Sequence, residues 1–219
     1  MIDPTGAAPG LRERKRLATR RAIQVAVLEL VADHGVDGVT VDMISRRADV
    51  SPRTFFNYFA SKEDAIVGDA PDLPMEAADA FVVGQGPLLD DLLELLDESV
   101  QTVIVDRELV RRRRLVLRAH PDLFARRVAS MREYEEGLSK IVERRLAEAP
   151  AVADSGDDES SVASRAHLVA LVVMAALRHA WAEWLDDDDE HHADVLRFGL
   201  RARMEASIGD LRRLVSREV

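Results

Sequence analysis

Apolar residues recur at intervals of three and four along most of the chain, the period of a helix face, and the strict alternation of a half-buried strand is absent. Ile23, Ala26, Val27, Leu30 and Val31 share one side of a helix predicted from Leu11 to His34, and Gly35 stands where it should stop. Thr40 then caps a helix of barely two turns carrying Val41, Ile44 and Ala48. Ser51 caps another short one with Pro52 in its first turn, and Ser61 a fourth that runs to about Gly68 with Glu63 and Asp64 near its positive end. Pro71, Pro74, Gly84, Gly86 and Pro87 punctuate the next stretch, with a short helix over 75–83 among them. Longer helices are predicted over 88–105, 107–119, 121–149, 162–185 and 192–216. The stretches 150–161 and 186–191 are acidic loops. The chain therefore divides into a tail over 1–10, a small helical domain over 11–70 and a larger one over 71–219.

Composition narrows the class. With 219 residues, 47% apolar and 32% charged, there is ample material for a core. The absence of cysteine excludes a disulfide framework and a thiolate metal site, and fits a cytoplasmic protein. The longest uninterrupted apolar run, Leu168 to Leu177, has about half the ~20 residues of a membrane span, so no membrane partner is expected. Pro4, Gly6, Pro9 and Gly10 give the first ten residues no apolar core of a signal peptide.

Helices as short as 40–48 and 51–59, separated only by Asp49 and Val50, cannot persist unaided, and the long first helix is the natural brace. Two short helices in tandem on a third make a helix-turn-helix. Phe55 and Phe59, four apart, should bury, leaving Arg53, Thr54, Phe56, Asn57 and Tyr58 outside. A guanidinium there can fork onto guanine O6 and N7, and a phenyl ring can rest on a thymine methyl. Thr40, Thr54, Asn57, Tyr58 and Lys62 can donate to phosphate oxygens. Less commonly such a module docks a protein, and an acyl-ligand or metal carrier with an idle module is a third reading.

The residues Thr19-Arg20-Arg21-Ala22-Ile23 through His34-Gly35, then Thr40 to Ala48, Val50-Ser51 and Thr54 to Glu63 resemble the TetR-type transcriptional regulators in order and spacing over the first third of the chain. The resemblance implies a homodimer that binds palindromic double-stranded operator DNA, usually as a repressor released by a small molecule. It also implies DNA contacts at Thr40, Arg53, Thr54, Phe56, Asn57, Tyr58 and Lys62. Asp49 stands where the family's turn glycine is usual, and Asp tolerates the left-handed conformation better than most residues. Phe56 replaces a common tyrosine, removing one phosphate-directed hydroxyl.

In the larger domain, the leucine-rich helix from Leu88 to Ile104 predicts a greasy interior. Leu92, Leu96 and Val100, with Phe124 and Val128, are the candidate lining of a site for a small hydrophobic or acyl-type effector. The arginine-rich helix, the Pro121-Asp122-Leu123 start and the Trp181/Trp184 helix are similar to the mycofactocin-regulator branch of the family. A helix apolar on every face over 168–177 should be buried on two sides, one of them against a second subunit. Val172, Ala176, Trp184 and the small-residue stripe Gly199, Ala202, Ala206 and Gly209 are the candidate dimer interface, although small residues can also pack within one chain. Four consecutive arginines, 111–114, point all round a helix, so most should be solvated or paired with acids.

Nothing suggests an enzyme: no nucleotide-binding glycine loop and no His-Glu-x-x-His pattern are present, and neither cofactor nor metal is expected. Carboxylates and imidazoles over 186–192 could in principle hold a divalent cation, but hydrated acidic loops are commoner. His179 and Glu183 read as a surface pair one turn apart. The net charge of −10 argues against DNA until it is divided. Residues 1–67 hold ten Lys and Arg against nine Asp and Glu, and the remainder twenty against thirty-one. Leu11 to Arg21 carries six basic residues and one acid, placed where an N-terminal arm could reach backbone or minor groove.

Overall fold

A computed structural model describes residues 11–101, 107–148, 159–186, 202–210 and 213. The described elements are helical: α1 (Leu11–Gly38), α2 (Val41–Arg47), α3 (Pro52–Tyr58), α4 (Lys62–Val67), α5 (Met75–Val83), α6 (Leu88–Gln101), α7 (Arg107–Ala119), α8 (Pro121–Glu148) and α9 (Glu159–Asp186). Residues 202–210 add a further helical stretch. The chain forms two compact units, one of residues up to 69 together with 108–127, the other of 70–107 and 128 onward. The tail over 1–10, the loop over 150–158 and most of the acidic stretch 186–192 lie outside the described residues.

Local rules account for the first unit. α1 breaks at Gly35 (φ 71°, ψ 166°) and continues for one turn to Gly38. The Thr40 side chain accepts from the Met43 amide, Ser51 from Thr54 and Ser61 from Asp64, so each short helix has its cap. Asp49 takes φ 53° in the turn between α2 and α3, the left-handed conformation that an Asp in the glycine's place must adopt. Ile23, Val27 and Leu28 of α1 pack with Ile44, Phe55, Phe59 and Ile66 in one core. Each such side chain stabilises the unit by about 1.5–3 kcal/mol.

That core also contains Leu109, Leu117 and Leu123, from a segment the sequence division at residue 70 assigned to the larger domain. The physical reason lies on α7: positions 109, 113 and 117 are one turn apart, and all three are buried. The middle one is Arg113. Its Nε donates to the Ile66 carbonyl at 3.0 Å, and its guanidinium lies over Gly68, where a Cβ would sit 2.5 Å from Cζ. Burial, reinforced by Arg127 and opposed by Asp69, pushes the Arg113 pKa down to about 10. Arg127 Nη1 donates to the Asp69 carbonyl at 2.6 Å, and burial lowers its pKa as well. Arg20 of α1 grips the Asp69 carboxylate with Nε and Nη2, donates from Nη1 to the Tyr58 carbonyl at 2.8 Å, and stacks 4.3 Å from the Phe59 ring centroid.

The second unit has its own buried arginine. Arg145 of α8 donates to the Phe81 carbonyl at 2.9 Å and the Gly86 carbonyl at 2.7 Å, pairs with Asp91 and covers the Phe81 ring, closing the turn between α5 and α6. Ser99 Oγ donates to the Asp72 carbonyl and meets the Tyr134 hydroxyl at 2.9 Å. Burial pushes the Tyr134 pKa up to about 12, against the lowering effect of the Ser99 hydrogen bond. On α9 the inner stripe Ala166, Ala170, Val173, Met174, Leu177, Ala180 and Trp184 is buried. By length and composition alone 160–186 could span a membrane, with mean hydropathy 1.6, but this packing accounts for its apolar inner side. His179 meets Ser207 at 3.0 Å and Glu183 at 3.9 Å, so the expected surface pair forms and 202–210 lies beside α9.

Two measurements test these packing arguments. Asp49→Val should destabilise the protein by about 1–2 kcal/mol in urea unfolding, because a β-branched residue tolerates the left-handed turn worst, whereas Asp49→Gly should not lower stability. Tyr134 ionises near pH 12 in the folded protein but near pH 10 once unfolded. Between these values the unfolded chain releases its proton first, so this group's contribution is intact below pH 10 and lost as pH rises toward 12. Phenolate absorbance of the folded protein should contain a late step that Tyr134→Phe removes; loss of a step near pH 10 instead would contradict it.

Candidate nucleic-acid interface

The sequence-predicted contact residues converge on α3 and its flanks. Arg53, Phe56 and Asn57 are exposed on α3, and neither the Arg53 nor the Asn57 side chain has a hydrogen bond or ion pair among the described residues. Phe56 is 57% exposed, its ring edge-on to the buried Phe55 at 5.4 Å. An exposed aromatic beside an uncommitted arginine and an amide is costly to leave in water and suited to a base edge. Thr54, expected outside, is half-buried because its hydroxyl meets that of the cap residue Ser51 at 2.8 Å. Thr40 is exposed at the start of α2, its Oγ1 accepting from the Met43 amide and its own proton still available to donate. Tyr58 is half-buried at the end of α3, its carbonyl held by Arg20.

Lys62 departs from the expected role. Its Nζ donates to the Val36 carbonyl at 2.8 Å and the Val39 carbonyl at 2.9 Å, so it serves the backbone at the end of α1. The basic N-terminal residues are carried on the first turns of α1 rather than on an extended arm, with Arg12, Arg14 and Lys15 exposed. Of the other cations nearby, Arg47 is paired with Glu29 at 2.9 Å and Arg20 with Asp69.

The candidates in the second unit are not gathered as expected. Leu92, Leu96 and Val100 are buried in it, but Val128 is 44% exposed, and Phe124, 54% exposed, belongs to the first unit. α8 buries Leu123, Tyr134, Leu138 and Val142, and Phe124, five whole turns before Val142 and on the same face, stays exposed because the helix passes from one unit to the other after residue 127. A cleft of about 370 Å³ lies elsewhere, lined by Val82, Val83, Leu88, Leu146, Arg145 and Glu148 with the turn 84–86. Of the interface candidates, Ala176 and Trp184 are buried within the chain, Trp184 edge-on to Trp181 and beneath Arg107. Val172 is half-buried, Ala202 and Ala206 are exposed, Gly209 is half-buried, and Gly199 lies outside the described residues. The uncovered apolar stripe of α9 is Leu168, Leu171 and Ala175, with Val172 at its margin and Trp184 about half a turn away.

Sequence reasoning missed Arg113, Arg145 and Asp69. The spacing Leu109, Arg113, Leu117 was a usable signal for the first; the pairing of Asp69 with Arg20 had none. Among the described residues no cluster of three His, Asp or Glu could hold a metal ion.

The family model for bacterial regulatory proteins of the tetR family matches residues 23–65, which contain α2, α3 and their braces. The chain is 32% identical over 158 residues to the helix-turn-helix transcriptional regulator TcmR of Streptomyces glaucescens, covering 64% of this chain and 66% of that one. It is 27% identical over 191 residues to a protein named as a mycofactocin biosynthesis transcriptional regulator of Mycobacterium tuberculosis, covering 84% and 88%. The fold is similar to that of NalD, the secondary repressor of a multidrug efflux pump in Pseudomonas aeruginosa, with TM-score 0.50 at 18% identity over 90% of this chain and 97% of NalD. Regulators of this kind are not enzymes. A braced tandem of short helices, an uncommitted Arg-Phe-Asn surface and these relatives together place the chain in the TetR family of bacterial transcriptional regulators.

Proposed function

We propose that the protein is a cytoplasmic homodimeric repressor that binds palindromic operator DNA through α3 and is released by a small hydrophobic or acyl-type effector. The observation that carries this reading is the outer face of α3, where Arg53, Phe56 and Asn57 stand exposed on a helix fixed by Phe55 and Phe59 in the core and by Arg20 at its last carbonyl. Arg53 reads a guanine by its fork, Phe56 rests on a thymine methyl, and Thr40, Thr54, Asn57 and Tyr58 set register on phosphates. Arg12, Arg14 and Lys15 add sequence-independent attraction.

Two such helices must sit about 34 to 36 Å apart to enter successive major grooves, so the reading requires a dimer. Its interface is the uncovered stripe Leu168, Leu171 and Ala175 of α9, with exposed Ala202 and Ala206 of the neighbouring helical stretch. An effector releases the DNA only if it binds better to a dimer whose reading helices are wrongly spaced. The leucine-rich second unit, with its partly apolar cleft, supports an apolar ligand there.

Selection from a random-sequence duplex pool should yield a palindrome, and binding should weaken steeply with salt. Arg53→Ala should cost about 1–3 kcal/mol and relax base preference at one position in each half-site. A uniform loss at all positions would remove Arg53 from the base-reading role. In sedimentation, Leu168→Asp should convert the dimer to monomers and abolish palindrome binding, while a persisting dimer would locate the interface elsewhere.

A further inference from the structure

We propose that Lys62 is a positioning residue rather than a phosphate ligand, and that its ammonium sets the direction in which α3 is presented. The inference rests on the proposed DNA-binding function. One nitrogen bridges two carbonyls, Val36 at 2.8 Å and Val39 at 2.9 Å, which takes two of its three donors. The Val36 carbonyl belongs to the last turn of α1 after the break at Gly35, which lacks onward helical donors, and the Val39 carbonyl to the linker between α1 and α2. A cation is favourable at that negative end, and unfavourable at the positive N-terminus of α4, where Lys62 itself sits beside Glu63 and Asp64. The side chain thus ties the start of one helix to the end of another.

The tie falls at a sensitive place. The Val39 carbonyl belongs to the peptide immediately before Thr40, the cap of α2. From α2 the orientation passes to α3 through a turn with little freedom, closed by Ala48 N to Ile44 O at 2.9 Å and Val50 N to Ser45 O at 2.9 Å. α3 spans about 10 Å, so a tilt of roughly 10° about one end moves the other by about 2 Å. A displacement of that size breaks a bidentate hydrogen bond to a base, which tolerates only a few tenths of an ångström. Non-specific attraction to phosphates, which depends on charge and not on register, survives it.

Lys62→Met removes the ammonium and keeps the stem, and Lys62→Gln removes the charge but keeps an N–H donor. Both are compared with the unaltered full-length protein at 10 °C, after circular dichroism has confirmed folding. The probes are the palindrome selected by the unaltered protein from a random pool and a mixed-sequence duplex without it, each across a salt series. Positioning predicts a loss of at least tenfold on the palindrome for Met, a smaller loss for Gln, and no change for either variant on the mixed duplex or in the salt slope. Should Met not fold, Gln carries the same comparison. A phosphate contact would instead weaken both duplexes and reduce the slope by about 0.9 per protomer, which overturns the proposal. Undiminished palindrome binding by a folded variant overturns it too, leaving Lys62 a stabilising residue only. If the unaltered protein selects no duplex, the proposed function is what fails; the tie is then judged by amide exchange over Val41–Arg47, which must quicken in the variant, and unchanged exchange overturns it.

Discussion

A helix of six or seven residues makes so few internal hydrogen bonds that nucleation outweighs them, and the DNA-reading end of this molecule consists of three such helices. Everything around α2, α3 and α4 can be understood as a response to that deficit. Caps at Thr40, Ser51 and Ser61 satisfy the first amides, while Phe55, Phe59, Ile44 and Ile66 dock on α1. What remains are the carbonyl ends: those of α3 and α4 are held by cations, Arg20 on Tyr58 and Arg113 on Ile66, that of α2 closes on the amides of Ala48, Asp49 and Val50, and Lys62 holds the Val36 and Val39 carbonyls ahead of α2. A reading surface assembled from marginal helices thereby acquires the rigidity that base recognition needs.

The same deficit explains why the first unit recruits chain from beyond residue 107. Asp69, where the first stretch of the unit ends, is held by Arg20 through its carboxylate and by Arg127 through its carbonyl. Leu109, Leu117 and Leu123 complete a core that α1 to α4 begin. Burying Arg113 carries a desolvation cost that its hydrogen bond to Ile66 and the nearby Asp69 only partly offset, since Nη2 has no partner. Gly68 makes the arrangement possible twice over, by its φ of 70° and by leaving the space that a Cβ would fill.

Features governed by local chemistry were legible in the sequence: the caps, the left-handed Asp49, the burial of Phe55 and Phe59, and the exposure of Arg53, Phe56 and Asn57. Features governed by long-range packing were not. In α9, apolar all round, periodicity cannot say which stripe faces inward, and Ala176 and Trp184, offered to a second subunit, face the chain's own core. Phe124 and Val128 failed because α8 contributes to two units. A run of four arginines reads as solvated surface until the leucines one turn to either side of Arg113 are given equal weight.

Charge shows where the two kinds of information meet. Net charge counts every ionised group alike, but a polyanion is attracted by cations not already neutralised within the fold. Among residues 11–67, Arg20 and Arg47 are paired with carboxylates and Lys62 is held by carbonyls, while Arg12, Arg14, Lys15, Arg46 and Arg53 have no internal partner among the described residues. Those five, on the starts of α1 and α3 and the end of α2, are the residues from which counterion release can come. The thirty-one acids beyond residue 67 dominate the total of −10, yet the total says nothing of which cations the fold leaves unpaired. An acidic protein can bind DNA when its internal ion pairs leave the right cations over, and here the structure, not the composition, determines which those are.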